Sequence, residues 1–317
     1  MILTVTANPC IDRAMFVHEL RPFDTNRVTR TEVDAGGKGI NLSRVAKEMG
    51  APTLATGVLG GQAGQFIRSI LDGRDVRHDF MEIVGETRTN SSVEEAMGNP
   101  PTTFNEQGPA ITEAELAELH DHCLGLADRL NPAWVCLCGS VPPGVPPEFY
   151  GELGGAIKGR GIRLLVDADG PLLAAGLSAK PDMLKPNLEE AERFLGHSIV
   201  GVNGAVAATR ELAELASDGA YVLVSLGAQG AVLRVGSEVW VGQSPEITAV
   251  STIGSGDSLL GALLSGLVSG LSVSMALRWG LAAGAATALT NGAQIANRAA
   301  IEELYPRAVV AEVPSAI

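Results

Sequence analysis

Short apolar runs and helical apolar faces take turns along most of the chain. "ILTVTA", Ile2 to Ala7, is a β-branched run stopped by the turn pair Asn8 and Pro9, and it reads as a strand. "INLSRVAKEMG" puts Leu42, Val45, Ala46 and Met49 on one helical face, with Gly50 as its stop. After Thr112 the pattern becomes regular: a helix to about Leu130, the strand "WVCLC", a helix near Tyr150, the strand "IRLLVD", then "DML" and a further helix. "YVLVSL", "AVLRV" and "EVWV" add strands close together, and Ala/Gly-rich helices follow from Asp257 and Ser274. Such alternation predicts a mainly parallel, doubly wound sheet with helices on both faces.

Two stretches break the pattern. From Asp12 to Asp34, and again from Thr87 to Gln107, the text is polar with short β-like pieces, and "GNPP" at Gly98 to Pro101 suits a hairpin turn. Neither stretch has a core of its own. Residues 12–33 and 87–107 are therefore expected to form a small β-sheet lid inserted into a core of 1–11, 34–86 and 108–317, its open face available to a second copy in a homodimer.

Composition adds limits. The formal net charge of -13 disfavours nucleic acid and anionic lipid as partners, so cations that serve an anionic ligand must be gathered locally. Cys10, Cys123, Cys136 and Cys138 have neither zinc-site nor disulfide-framework spacing, and buried reduced thiols are expected. His120, His122 and Cys123 ride on a helical pattern and read as a solvated helix face rather than a ligand set. The N-terminal text lacks an export leader, and Ser, Gly and Arg278 interrupt the apolar stretch from Leu259 to Leu289; the expectation is a cytoplasmic protein with no membrane span.

In open parallel sheets ligands sit beyond the carboxyl ends of the strands, and the chemistry-bearing loops fall there. "AGGKGIN", Ala35 to Asn41, is neither a Walker loop, because Gly39 follows Lys38, nor a dinucleotide fingerprint, because Leu42 stands where the third glycine is needed. A glycine turn entering a helix remains, fit for a phosphate or for geometry alone. In "STIGSGDS", Gly254, Ser255 and Gly256 open a helix whose first turn carries Asp257; the backbone N–H groups suit an anion, and Asp257 suits either capping or proton transfer. "KPNLEE" places Asn187 and Glu190 three apart at a helix start, which fits a water-held magnesium ion or simple capping. "VSLGAQGA" is a strand, a glycine turn and a strand, a tight connection or a bed for a nucleotide.

In this order, "NPCID", "AGGKGIN", "GGQAGQF", "GETRTN", "GSVPPG", "KPNLEE", "VSLGAQGA" and "STIGSGDS" resemble the PfkB branch of the ribokinase superfamily over nearly the whole chain. "KGIN", "TRTN" and "FNEQGP" are similar to its hexose-phosphate kinases, those for fructose 1-phosphate, tagatose 6-phosphate and fructose 6-phosphate, the first being preferred. The resemblance implies a ribokinase-like fold, ATP and Mg²⁺, and phosphorylation of a hexose-phosphate hydroxyl. It implies Asp257 as base and Gly254, Ser255 and Gly256 as anion hole. Asp12, Asn90 and Ser140 would meet the sugar, with Gly37, Lys38, Asn41, Arg27 and Arg88 on its phosphate. Lys185, Asn187, Ser225, Gly227 and Gly230 would line the nucleotide, with Asn187 and Glu190 acting on the metal.

The chain departs from the pattern at Ser251, where many relatives carry Asp or Asn beside a monovalent-cation site such as one for K⁺, and at Asp167 to Gly170, "DADG". A kinase of unphosphorylated sugars, an inactive sugar-phosphate-binding regulator and a nicotinamide dehydrogenase are the competing readings.

Overall fold

The computed structural model describes residues 1–95 and 101–314. The chain opens with β1 (Ile2–Thr6), leaves the body in the antiparallel pair β2 (Cys10–Val17) and β3 (Arg30–Gly36), and returns through α1 (Lys38–Glu48), β4 (Thr53–Leu59), α2 (Gly61–Gly73) and β5 (His78–Glu82). β6 (Arg88–Glu95) and β7 (Thr102–Phe104) leave it again. Then α3 (Glu113–Leu130), β8 (Trp134–Cys138), α4 (Phe149–Gly159), β9 (Arg163–Asp167), α5 (Gly170–Ser178), β10 (Met183–Leu184), α6 (Leu188–Leu195), α7 (Gly201–Ala213) and β11 (Tyr221–Ser225) follow. A 3₁₀ turn at Gly227–Gln229 leads to β12 (Ala231–Val235), β13 (Glu238–Gln243), α8 (Ser255–Val268), α9 (Val273–Ala288), α10 (Arg298–Leu304) and β14 (Val309–Val313).

The large sheet has the order β14-β13-β12-β11-β10-β9-β8-β1-β4-β5, parallel from β11 to β5 and antiparallel from β11 to β14. Every residue of β1, β4 and β8 is buried, which is what strands covered on both faces require and why their text is apolar without alternation. The predicted mainly parallel, helix-flanked sheet is therefore present. Apolar clusters fill both sides of it, one centred on Leu137, Tyr150 and Val166 and another on Leu42, Leu260 and Leu277.

β3-β2-β6-β7 form the second, smaller sheet. β2 starts at Cys10 and β3 runs to Gly36, so this sheet takes in residues on both sides of the expected 12–33 span. Its parallel β2–β6 pairing sets Cys10 opposite Arg88 and Asp12 opposite Asn90, which is how the lid assembles polar side chains from distant text. The expected turn at Gly98 to Pro101 lies, except for Pro101, outside the described residues.

Local signals explain the helix ends. Thr112 and Glu115 form a reciprocal capping box on α3, worth about 1 kcal/mol for such a cap, and Asn131 ends it in the left-handed region. On this helix Cys123 is buried and His122 Nε2 hydrogen-bonds the Asp79 carbonyl at 3.0 Å, so this face is partly packed where a solvated one was expected. All four cysteines are free and buried. The apolar stretch from Leu259 resolves into α8 and α9, packed on each other; no helix among the described residues is long and apolar enough to cross a membrane.

Candidate active site

Two cavities meet beyond the carboxyl ends of the parallel strands. One, of about 470 Å³, lies under the small sheet and is lined by Asn8, Cys10, Asp12, Arg88, Asn90 and Ser140 together with Gly37 and Asn41. The other, of about 520 Å³, is lined by Lys185, Asn187, Ser225, Gly227 and Gly230 and by the apolar wall of Ile247, Leu281 and Ala285. Lys38, Glu190 and Asp257 line both. Gly254 faces the first, Ser255 and Gly256 the second, so the tip of α8 divides them.

That tip depends on a turn only glycine adopts readily. Gly254, the N-cap of α8, has φ 75° and presents no side chain, leaving the first N–H groups of the helix accessible to an anion. Gly37, at φ 117°, does the same for α1, where an added Cβ would fall 2.8 Å from Thr6 Cγ2. Both loops thus bring bare backbone and a helix start to the cleft, as expected.

Asp257 sits in the first turn of α8 and is buried, with Oδ2 accepting from Asn41 Nδ2 at 2.9 Å. Burial, then the neighbouring Asp167 carboxylate, pushes its carboxyl up to about 6, against the opposing pull of Lys38, the Asn41 hydrogen bond and Lys185. A carboxylate poised there accepts a proton more readily than an ordinary Asp. The acid limb of kcat/KM against pH is therefore expected near pH 6, where Asp257 loses its proton, and a limb near pH 4 would refute this origin.

Lys38, expected on the acceptor's phosphate, lines both cavities and is held by two carboxylates. Its Nζ donates to Asp167 Oδ1 at 2.8 Å and to Glu190 Oε1 at 3.4 Å, on the wall shared by the two cavities. Burial alone would release its proton, but the Asp167 and Glu190 carboxylates outweigh burial and hold the ammonium charged. Asp167, itself buried at the end of β9, also receives Lys185 at 3.3 Å, and Lys185 and Lys38 overcome burial to keep its carboxyl below the usual range. This gives "DADG" a physical account. Asp167 anchors two lysines, and Asp169 caps α5 and pairs with Arg193 at 2.7 Å.

Arg27 lies exposed on the connection between β2 and β3 and does not line the cavity; that connection is tied by Arg21 N–H to Asn26 Oδ1 and Asn26 Nδ2 to the Arg21 carbonyl. Arg88 does line it, its guanidinium held by the Glu106 and Asn8 carbonyls at 2.8 and 3.0 Å with no ion pair among the described residues. Arg13, which sequence reasoning passed over, lines the same cavity.

Asn187 and Glu190 form a reciprocal capping box on α6, so the plain reading of "KPNLEE" is correct in geometry. Glu190 Oε1 remains on the shared wall beside Lys38. Among the described residues no group of three or more His, Cys, Asp or Glu is placed to hold a metal ion. At Ser251 a buried hydroxyl accepts the Ile253 N–H at 3.4 Å.

In the first cavity Cys10 donates to Asp12 Oδ1 at 3.2 Å, and Asn90 Nδ2 donates to Cys10 Sγ and Asp12 Oδ1 at 3.2 and 3.3 Å. Burial raises both the Cys10 thiol and the Asp12 carboxyl above their ordinary values. Asn8 Oδ1, Thr6 Oγ1, Asn90 Oδ1 and Arg88 Nε are buried without a hydrogen-bond partner among the described residues. Each such atom is destabilising by about 1–3 kcal/mol until paired, so this cavity suits a ligand rich in hydroxyls and anionic oxygens.

A family model described as pfkB family carbohydrate kinase matches residues 5–300. The chain belongs to this family. It is 34% identical over 267 residues to a 1-phosphofructokinase of Rhodobacter capsulatus, covering 83% of this chain and 82% of the relative. It is similar in structure to Escherichia coli phosphofructokinase-2 in complex with substrates and products, with TM-score 0.88, 29% identity and 96% and 98% of the two chains covered. The same enzyme in complex with potassium gives TM-score 0.87 at 28% identity, again over 96% and 98%. The chain therefore shares the fold of these sugar kinases over 96% of its length.

Sequence reasoning missed Asp167, Asn8 and Cys10 as parts of the PfkB kinase's site. The position of Asp167 at the end of a parallel strand was the available signal.

Proposed function

We propose that this PfkB kinase transfers the γ-phosphoryl group of ATP to a hydroxyl of a hexose phosphate, with fructose 1-phosphate giving fructose 1,6-bisphosphate as the preferred reaction. The observation that carries the reading is Asp257 on the wall common to both cavities, at the tip of α8. The 34% identical 1-phosphofructokinase supports the choice of acceptor.

In this reading the sugar lies under the small sheet, its hydroxyls on Asp12, Asn90 and Ser140 and its phosphate on Arg88 and the Gly37 to Asn41 helix start. ATP lies along Ser225, Gly227, Gly230 and Lys185 in the second cavity. Asp257 takes the acceptor's proton as the new P–O bond forms and the bond to ADP breaks. The N–H groups of Gly254 to Gly256 and the Lys38 ammonium stabilise charge on the moving phosphoryl group. Closure of the lid excludes water, which strengthens these interactions.

Glu190 Oε1 and Asn187 suit a magnesium ion held through water, since hard oxygen donors face the nucleotide cavity without a protein cage. Such an ion neutralises phosphate charge when bound. Ser251 offers a hydroxyl where many relatives carry Asp or Asn beside a K⁺ site, and no step is assigned to that ion. Exposed Phe23, Val28, Val33 and Phe104 on the lid segments support a homodimer through the small sheet. Buried free thiols support a reducing, cytoplasmic setting.

ADP release measured over fructose 1-phosphate, tagatose 6-phosphate, fructose 6-phosphate and fructose tests the reading. Phosphorylated sugars are expected to give the higher kcat/KM, and preference for bare fructose would defeat it. Arg88→Ala is expected to raise KM for the sugar phosphate roughly 10- to 100-fold, the equivalent of one charge-assisted hydrogen-bond set, with a smaller change in kcat.

A further inference from the structure

Asn41 is buried, and both ends of its amide are engaged. Nδ2 donates to Asp257 Oδ2 at 2.9 Å, and Oδ1 accepts from Arg44 Nη1 at 3.3 Å. Turning the amide over would set its oxygen against the Asp257 carboxylate and its N–H groups against a guanidinium, which has only donors. Arg44 thus decides which end of Asn41 meets Asp257.

Arg44 is itself immobilised. Its Nη1 also donates to the Ala35 carbonyl at 2.9 Å, and its Nη2 donates to Asp34 Oδ2 at 2.8 Å. Arg74, at the end of α2, donates to the same Asp34 Oδ2 from Nη1 and Nη2 at 3.1 Å, with Nη1 also 2.9 Å from Oδ1. Asp34 and Arg44 are both buried, and neither they nor Arg74 lines either cavity; Arg44 reaches the first cavity through Asn41 and through the Ala35 carbonyl ahead of Gly37, and of these Asn41 alone hydrogen-bonds Asp257. A buried arginine kept in place only for stability is weakly motivated, because the desolvation of such a pair offsets most of its attraction.

We propose that Arg44, braced by Asp34 and Arg74, is a positioning residue that fixes the Asn41 amide so that its N–H remains a permanent donor to the Asp257 carboxylate. The inference rests on Asp257 being the base. Besides Asn41, the groups around that carboxylate are Lys38 of α1, Asp167 of β9, Lys185 after β10, Cys10 of β2 and Cys138 of β8. A hydrogen bond donated to the ionised form favours it, so losing the donor moves the titration of Asp257 upward from about 6.

The test is kcat/KM against pH, with fructose 1-phosphate and MgATP, for the parent, R44M, R44K, N41A and N41A/R44K, with a melting temperature for each. Lys cannot span Asp34 and Asn41 as a guanidinium does, and its ammonium follows the carboxylate. The acid limb is expected to move up by roughly half to one pH unit in R44M and in R44K alike, the equivalent of one hydrogen bond. Because R44K keeps the charge, a shift there excludes mere loss of a distant cation; it also carries the test if R44M does not fold. N41A is expected to show the same shift and N41A/R44K none beyond it. A lowered melting temperature with an unmoved limb in R44K, or additive shifts in the double variant, overturns the proposal. D257N separates the two levels: near-parent turnover there removes the base itself, whereas an inactive D257N beside an unmoved R44K limb removes only the role of Arg44.

Discussion

Asp257→Asn is expected to lower kcat by roughly 10²-fold or more while ATP binding, measured by calorimetry, stays at the parent value. The amide keeps the size of the carboxylate and its place in the first turn of α8, but it cannot take the acceptor's proton. The same variant is expected to be no less stable, and the sign can be worked out. Burial raises the folded-state carboxyl of Asp257 from 3.8 to about 6, so the folded protein binds this proton more tightly than the unfolded chain. For an acid shifted upward, stability falls as pH rises between those two values, and the full cost persists above about pH 6. Asn carries no such cost. A melting curve at pH 8 should therefore place D257N at or above the parent, with the gap narrowing toward pH 4. Near-normal turnover in D257N would remove the catalytic assignment, and a melting temperature well below the parent at pH 8 would remove the account of the shifted carboxyl.

Lys38→Met is the second large expected effect, and it is one that the structure changes in kind. A lysine clamped on the acceptor's phosphate would, when removed, raise KM for the sugar phosphate. Lys38 stands between Asp167 and Glu190 on the wall shared with Asp257, so in the proposed reaction its removal takes a cation from beside the transferred group. A fall in kcat of about 10²- to 10³-fold is expected, with KM for the sugar changed far less. Arg88→Ala should give the opposite split. If K38M raised KM and spared kcat, Lys38 would belong to the acceptor's phosphate after all.

Much of the fold was legible because it rests on short-range rules. The apolar runs of β1 and β8 are uninterrupted because those strands are covered on both faces, and Thr112 with Glu115 announces the start of α3 through a pattern three residues long. The loops of the site were legible for a similar reason: Gly37 and Gly254 occupy backbone conformations that leave a mark in the text. What was not legible depends on how the sheet is ordered. Lys38 and Asp167 are 129 residues apart in sequence and meet only because β1, β8 and β9 lie side by side. The exposed position of Arg27 was hidden for the converse reason, since charge in the text says nothing about whether its connection turns toward the cavity or away from it. Asn187 and Glu190 show the limit in a third way: spacing fixed their mutual geometry, and the capping box satisfies it without any metal.

Because Lys38, Glu190 and Asp257 border both compartments, neither can be filled without altering the field in the other. An anion entering either side draws on the same ammonium and crowds the same carboxylates. In the proposed reaction donor and acceptor affinities are thereby thermodynamically linked, and whatever factor nucleotide binding imposes on sugar binding must be returned in equal measure by the sugar.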